Sequence, residues 1–353
     1  MRLERRHQAS RSALVLAPIG AVVFTLLISG LLVLWAGAPI GRTYALLLQG
    51  GFGSVFAWSE TLTRAVPLIL TGLAATVAFK ARLFNIGAEG QLYAGALAAV
   101  AVGGLHGGTG FEWPTWLLFP LMMAAAALAG ALLLLGPALM KNKLGVDEVV
   151  TTLLINFIVL LGVSALLDGP MKDPSAMGWP QSVSLQSELE LGKLVAQTRV
   201  HSGLVWAGAL SVMVWALFKY TVIGFDIRAV GANARAAAFA GVPVTRTVVT
   251  VALLSGALAG LAGAIEVAGR TSYVTLDISP GYGYSGIVIA MLAGLHPLGV
   301  LAAGVFVAGV MVGADTMSRA VGVPTYIADV IVATSLIAVL VATLLTQFRV
   351  RWK

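Results

Sequence analysis

Apolar runs near 20 residues long, separated by short polar or Gly/Pro-rich stretches, occupy most of the chain. A helix of that length crosses a bilayer, and the pattern predicts an all-α, polytopic membrane protein with about 10 spans. They are expected at 13–36, 61–79, 85–104, 115–139, 147–167, 203–220, 247–268, 282–295, 297–314 and 325–346. The eighth is short and glycine-rich, and only His296-Pro297 parts it from the ninth. Eight spans with a re-entrant Gly281–Gly313 region fit the same pattern. Small residues recur every four positions in the seventh span (Gly256, Gly260, Ala264, Ala268), a ridge that lets another backbone approach closely. Gly304-Ala308 and Gly309-Gly313 give the ninth a similar face.

Charge sets the orientation. With the N-terminus inside, 15 of the 22 Lys and Arg fall on the cytoplasmic side, as the positive-inside bias requires, and both termini are cytoplasmic. Residues 1–12 then form a basic cytoplasmic segment, 13–346 the transmembrane domain and 347–353 a basic tail. The first apolar run, Ala13 to Ala36, exceeds the core of a secretory signal and reads as a retained helix. Mean hydropathy is +0.94. Only 10% of residues are charged, so the net charge of +7 reflects loop Lys and Arg, and no nucleic-acid partner is expected. The chain has no cysteine, and its four histidines lack ligand spacing, so neither a metal nor another cofactor is expected.

Two loops stand out. Residues 168–202 form a long extracytoplasmic stretch with Pro170, Pro174 and Pro180; its part from Ser182 to Arg199 has room for a short amphipathic helix, and docking of an outer partner is one use for such a loop. Residues 224–246, GFDIRAVGANARAAAFAGVPVTR, lie between two spans on the basic side. Ala232 to Ala240 reads as one short helix led by Gly231 and stopped by Gly241 and Pro243, placed to touch a soluble partner. A solvated loop with ordinary positive-inside arginines is the plainer reading.

Chemistry is sparse. No phosphate-binding Gly-x-x-x-x-Gly-Lys-Ser/Thr occurs, since Gly192-Lys193 is followed by Leu194, so this chain is not expected to hydrolyse ATP and is not read as an enzyme. Glu266 with Arg270, and Asp329, read as charges at span boundaries. Asn85 can cap the third span with Glu89 one turn on, where the helix dipole favours an anion. Gly87 and Gly90 beside them imply a close approach of backbone or solute. Thr152 and Asn156 share a face of the fifth span and can hydrogen-bond to another helix or to a solute. Asn85, Glu89, Gln91, Thr152 and Asn156 are therefore the candidates for a translocation path.

The stretches TLTRAVPLILTGLAATVAFKARLFNIGAEGQLYAGALAA (61–99), KNKLGVDEVVTTLLINFI (141–158), FDIRAVGANARAAAFAGV (225–242) and GYGYSGIVIAMLAGLHPLG (281–299) resemble the permease subunits of ABC importers for simple sugars and nucleosides. The Asn-Ile-Gly-x-Glu-Gly-Gln stretch is most similar to the nucleoside branch. The resemblance covers about residues 60–345. It implies a multi-pass protein of the bacterial inner membrane that pairs with a second, homologous permease. A cytoplasmic ABC ATPase and an extracytoplasmic binding lipoprotein would serve it. Residues 232–241 match the family's cytoplasmic coupling segment, with Arg228, Gly231, Asn233, Arg235, Phe239 and Gly241 as coupling candidates. Relatives often carry acidic residues in that helix, where this chain has Ala-Arg-Ala-Ala-Ala. A simple sugar is the alternative cargo; a stand-alone secondary carrier is the competing class.

Overall fold

The computed structural model describes residues 2–5, 11–104, 114–322 and 348–351, with 330, 333–334, 337–338 and 341–342. Most of the expected tenth span, 325–346, including Asp329, lies outside the described residues. The chain divides into two compact units, residues 62–305 and residues 1–61 with 306–353.

Helices run as α1 Arg11–Trp35, α2 Ile40–Phe52, α3 Val55–Lys80, α4 Ala88–Gly103, α5 Thr115–Leu144, α6 Glu148–Asp168, α7 Gly203–Tyr220, α8 Val222–Ala232, α9 Ala234–Phe239, α10 Val244–Glu266, α11 Tyr282–Leu292 and α12 Pro297–Val321. A π-turn, Val267–Thr271, prolongs α10. Among the described residues six helices are long and apolar enough to cross a membrane (α3, α5, α6, α7, α10 with its π-turn, α12), and α1 with α2, bent by 116°, makes a seventh candidate. The protein is thus predominantly helical and multi-pass. α11, with 11 residues, is about 16 Å long, half of a hydrocarbon core.

In the smaller unit, α2 fills a stretch that the apolar pattern leaves between spans. Gly51 lies against the Gly309 carbonyl and Gly313 against that of Leu47, so a Cβ at either would come within 2.3 and 2.0 Å of it. The Thr61 hydroxyl donates to Gly51 O at 2.8 Å. Two short strands, β1 Arg2–Arg5 and β2 Phe348–Arg351, pair antiparallel and bring the ends of the chain together.

The larger unit is built on α4, α5 and α10. Eleven of the 16 residues of α4 are buried. The small-residue ridge of α10 is what lets three backbones meet: a Cβ on Gly256 would lie 2.3 Å from Gly130 O, and one on Gly260 2.2 Å from Ala126 O. On α4, a Cβ on Gly95 would lie 2.1 Å from Gly260 O. α5 stops at Gly145 (φ +67°), which donates to Lys141 O, and α6 begins at Asp147, whose carboxylate accepts from Val149 N–H at 2.8 Å.

The 168–202 loop is fastened to the body and holds a 3₁₀ turn, Ser187–Leu189, in place of the amphipathic helix expected between Ser182 and Arg199. Its prolines and short polar runs favour turns, and its backbone is satisfied across the loop instead of along a helix. Ser182 N–H donates to Val274 O, Leu185 N–H to Ser272 O, and Leu191 N–H to Ala268 O. His201 is the loop's buried anchor. Its Nδ1 accepts from Gly203 N–H at 3.2 Å, its Nε2 has no partner, and Gly203 and Gly269 flank the ring so closely that a Cβ on either would collide with it.

Burial pushes the His201 imidazole down from 6.5 to about 4. The neutral ring is what the folded loop accepts, so the loop holds fully above pH 6.5 and loosens as pH falls towards 4. The loss over that window is about 3 kcal/mol. Hydrogen exchange at residues 185–202 is expected to speed up from pH 7 to 5 beyond its intrinsic pH dependence, and His201→Asn to abolish that excess.

Candidate functional site

The five polar residues singled out in the apolar runs converge on the turn between α3 and α4, residues 81–87. Asn85 and Gln91 form a reciprocal amide pair, 2.9 Å in each direction. Asn85 Nδ2 also donates to Ser255 Oγ at 3.1 Å, and that hydroxyl donates to Ala74 O at 2.7 Å. Asn85 does not cap α4 as expected: the cap position is Gly87, and Asn85 Oδ1 accepts from Gly87 N–H within the preceding turn.

From α6, Thr152 Oγ1 accepts from Ile86 N–H at 3.2 Å and donates to Glu148 O at 2.6 Å. Asn156 Oδ1 accepts from Gly90 N–H, and its Nδ2 donates to Ile86 O, both at 2.8 Å, and to Tyr284 OH at 3.1 Å. That side chain takes over the bond the first turn of α4 would otherwise make between Gly90 and Ile86. Gly87 and Gly90 are explained by the close approach of α6 side chains: a Cβ on Gly90 would lie 2.9 Å from Asn156 Oδ1, and one on Gly87 3.2 Å from Thr152 Cβ. Glu89 Oε2 accepts from Gly283 N–H, in the first turn of α11, at 2.6 Å.

All five side chains are buried, the most exposed being Glu89 at 3%. In this conformation the cluster's polar groups bond to one another and to backbone, and buried amides so paired fix helix positions. Ser255 and Tyr284 were not singled out from the sequence. Ser255 sits beside Gly256 on the small-residue ridge, which was the available signal. Glu266 and Arg270 pair at 2.5 Å one turn apart, as their spacing suggested.

The cytoplasm-assigned stretch 224–246 is built differently from expectation. The single helix at 232–240 is in fact two, because Asn233 takes an extended backbone (φ −158°, ψ 107°) and its side chain accepts from Ala236 N–H at 3.1 Å, capping α9. An Asn competes for backbone bonds in this way wherever a helix can start afresh. Thr221 caps α8 by accepting from Gly224 N–H at 3.1 Å. The Arg228 guanidinium turns back and donates to Phe218 O at the end of α7. Gly231 rests on the end of α3, where a Cβ would lie 1.8 Å from Lys80 O. α9 closes at Gly241 (φ +85°) and buries one residue, Ala237. Arg235 is exposed, and Phe239 is 97% exposed. Four of the six coupling candidates therefore shape or seat the segment, and two project from it.

Residues 57–340 match the family model described as branched-chain amino acid transport system, permease component. The chain is 35% identical over 322 residues to the guanosine ABC transporter permease of Bacillus subtilis, covering 90% of this chain and 91% of that one. It is 30% identical to a nucleoside ABC transporter permease of Lactococcus lactis (90% and 88% covered). With the glucose ABC transporter permease of Haloferax volcanii it shares 34% identity (94% and 89% covered). On these matches the chain belongs to the branched-chain amino acid transport system permease family and is a membrane-spanning permease subunit of an ABC importer.

Proposed function

We infer that the cargo is a nucleoside, passed to this chain by an extracytoplasmic binding lipoprotein and driven through by an ATPase on a separate cytoplasmic chain. The observation that carries the cargo is similarity, across nine-tenths of the chain, to permeases named for guanosine and for nucleosides. A path of amides, hydroxyls and phenols suits a neutral, hydrogen-bonding solute, and Asn85, Glu89, Gln91, Thr152 and Asn156 would face it once the cluster opens. The glucose permease among the relatives favours a simple sugar as the second reading.

The protein sits in the bacterial plasma membrane with both termini and the 224–246 segment in the cytoplasm. The pairing of β1 with β2 supports termini on one side, and 15 of 22 basic residues support that side being the inner one. About ten spans, or eight with the whole 281–313 region re-entrant, satisfy this topology. A second homologous permease completes the pore as a heterodimer. The 168–202 loop faces the receptor, and α9 docks in the ATPase. ATP is hydrolysed on that partner and not here.

Cells expressing the chain with its chromosomal neighbours are expected to accumulate labelled guanosine or uridine, with excess unlabelled nucleoside competing and glucose not. Competition by glucose alone would transfer the assignment to the sugar reading. Gradient-driven uptake by the isolated chain in liposomes would overturn both.

A further inference from the structure

The α3–α4 turn is held by more elements than a seven-residue connection needs. Its N-terminal side carries the docking segment: Gly231 of α8 leaves no gap against Lys80 O, and the Lys80 ammonium stands 5.2 Å from the Phe218 ring centre at the end of α7. Its middle is gripped by Glu148 at the start of α6. Glu148 Oε1 accepts from Phe84 N–H at 3.2 Å and from the Lys141 ammonium near the end of α5, and Lys141 also donates to Arg82 O at 2.9 Å. Its C-terminal side is the Asn85–Gln91–Ser255 cluster, which reaches α4 and α10.

We propose that Glu148 is the positioning residue that makes α5 and α6 follow the α3–α4 turn when a displacement of α8 and α9 reaches it. The turn is a stiff link. Inside it Ala81, Arg82 and Leu83 N–H donate back to Ala78, Phe79 and Ala78 carbonyls, and Asn85 N–H donates to Leu83 O. The Gly231 contact has no side chain to compress, so a shift of α8 towards α3 is felt by the Lys80 carbonyl at once. What the turn then drags with it depends on the Glu148 carboxylate, which is nearly buried and reaches from α6 to both the turn and Lys141 of α5. Without it Phe84 N–H loses its acceptor and Lys141 its counter-charge, and the hold of α6 on the turn is reduced to the bonds of Thr152 and Asn156 to Ile86. The relay rests on the reading that α9 docks the ATPase.

The test uses the whole importer, permease with its ATPase and receptor, in proteoliposomes, reading uptake per ATP hydrolysed. Glu148→Leu is expected to lower that ratio by about tenfold while hydrolysis persists. Glu148→Gln, which keeps an acceptor for Phe84 N–H, is expected to restore most of it. The chain has no cysteine, so spin labels at Arg82→Cys and at the exposed Leu161→Cys of α6 report the distance between turn and α6. One narrow distribution is expected in the parent and a broad one with Glu148→Leu. An unchanged ratio in Glu148→Leu, or uptake and hydrolysis falling in proportion, overturns the relay. Should Arg235→Ala/Phe239→Ala retain parental coupling, the docking reading itself is what fails; parental coupling in Glu148→Leu beside an uncoupled docking variant sinks the relay alone.

Discussion

Gly260→Leu is expected to abolish the folded permease. Gly260 stands where α10 meets both α5 and α4: a Cβ would lie 2.2 Å from Ala126 O, and the Gly260 carbonyl already fills the space in front of Gly95. In lipid, helices gain little hydrophobic free energy by associating, because the acyl chains they leave are as apolar as the neighbours they join. Cohesion comes from close packing and from hydrogen bonds made across the contact. A leucine would part three helices at once, losing the backbone contact along the ridge and dragging Ser255 away from Asn85. Overpacking costs about 1–3 kcal/mol at a single interface, and two interfaces share this position. Solubilised Gly260→Leu is expected to aggregate on size exclusion, and Gly260→Ala to unfold at a clearly lower temperature than the parent. Gly136→Leu in α5 and Gly208→Leu in α7 are the controls, since no heavy atom lies within 4 Å of a Cβ at either. Both should behave as the parent does. Equal behaviour of Gly260→Leu and Gly136→Leu would show that the ridge is not what holds the core.

The ridge was readable from the chain because it needs only a repeat of four. So were the six long helices, whose apolar runs exceed what any soluble core requires. α2 escaped because it is short and its apolar positions are broken by Gly41, Arg42, Gln49, Gly50 and Gly51. The break at Asn233 escaped because the alanines on both sides favour helix, and nothing local says that the side chain will turn onto Ala236 N–H. The same limit applies to the polar junction. Asn85, Gln91, Thr152 and Asn156 were conspicuous as amides and hydroxyls in apolar surroundings. Beyond the local bonds of Asn85 to Gly87 and Gln91 and of Thr152 within its own helix, their partners are 66 to 170 residues away. Whether such groups face a solute or one another is decided by tertiary packing, on which spacing along one helix is silent. The partners of Glu148, Phe84 N–H and Lys141, went unread for a related reason: as the first residue of a helix it already has a sufficient local explanation in the dipole.

Arg235→Ala/Phe239→Ala is expected to uncouple uptake from ATP turnover while the protein remains folded in the membrane. A phenylalanine 97% exposed beside an exposed arginine on a six-residue helix has no stabilising job within this chain. Aromatic and Arg side chains are, by contrast, the residues that most often dominate binding at protein interfaces. The features that shape α9 are elsewhere, in the Asn233 cap, buried Ala237 and the positive φ of Gly241, and the double variant leaves all three intact. Removing an anchor pair worth together about 2 kcal/mol or more is expected to cut uptake at least about thirtyfold, with basal hydrolysis by the ATPase retained. Arg228→Ala separates docking from architecture, because that guanidinium caps the Phe218 carbonyl of its own chain; it is expected to lower thermal stability more than coupling. A maleimide that cannot cross membranes should label Ala240→Cys in inside-out vesicles and not in intact cells. Labelling from the outside, or undiminished uptake by the double variant, would remove α9 from the drive mechanism and leave its exposed phenylalanine without a purpose.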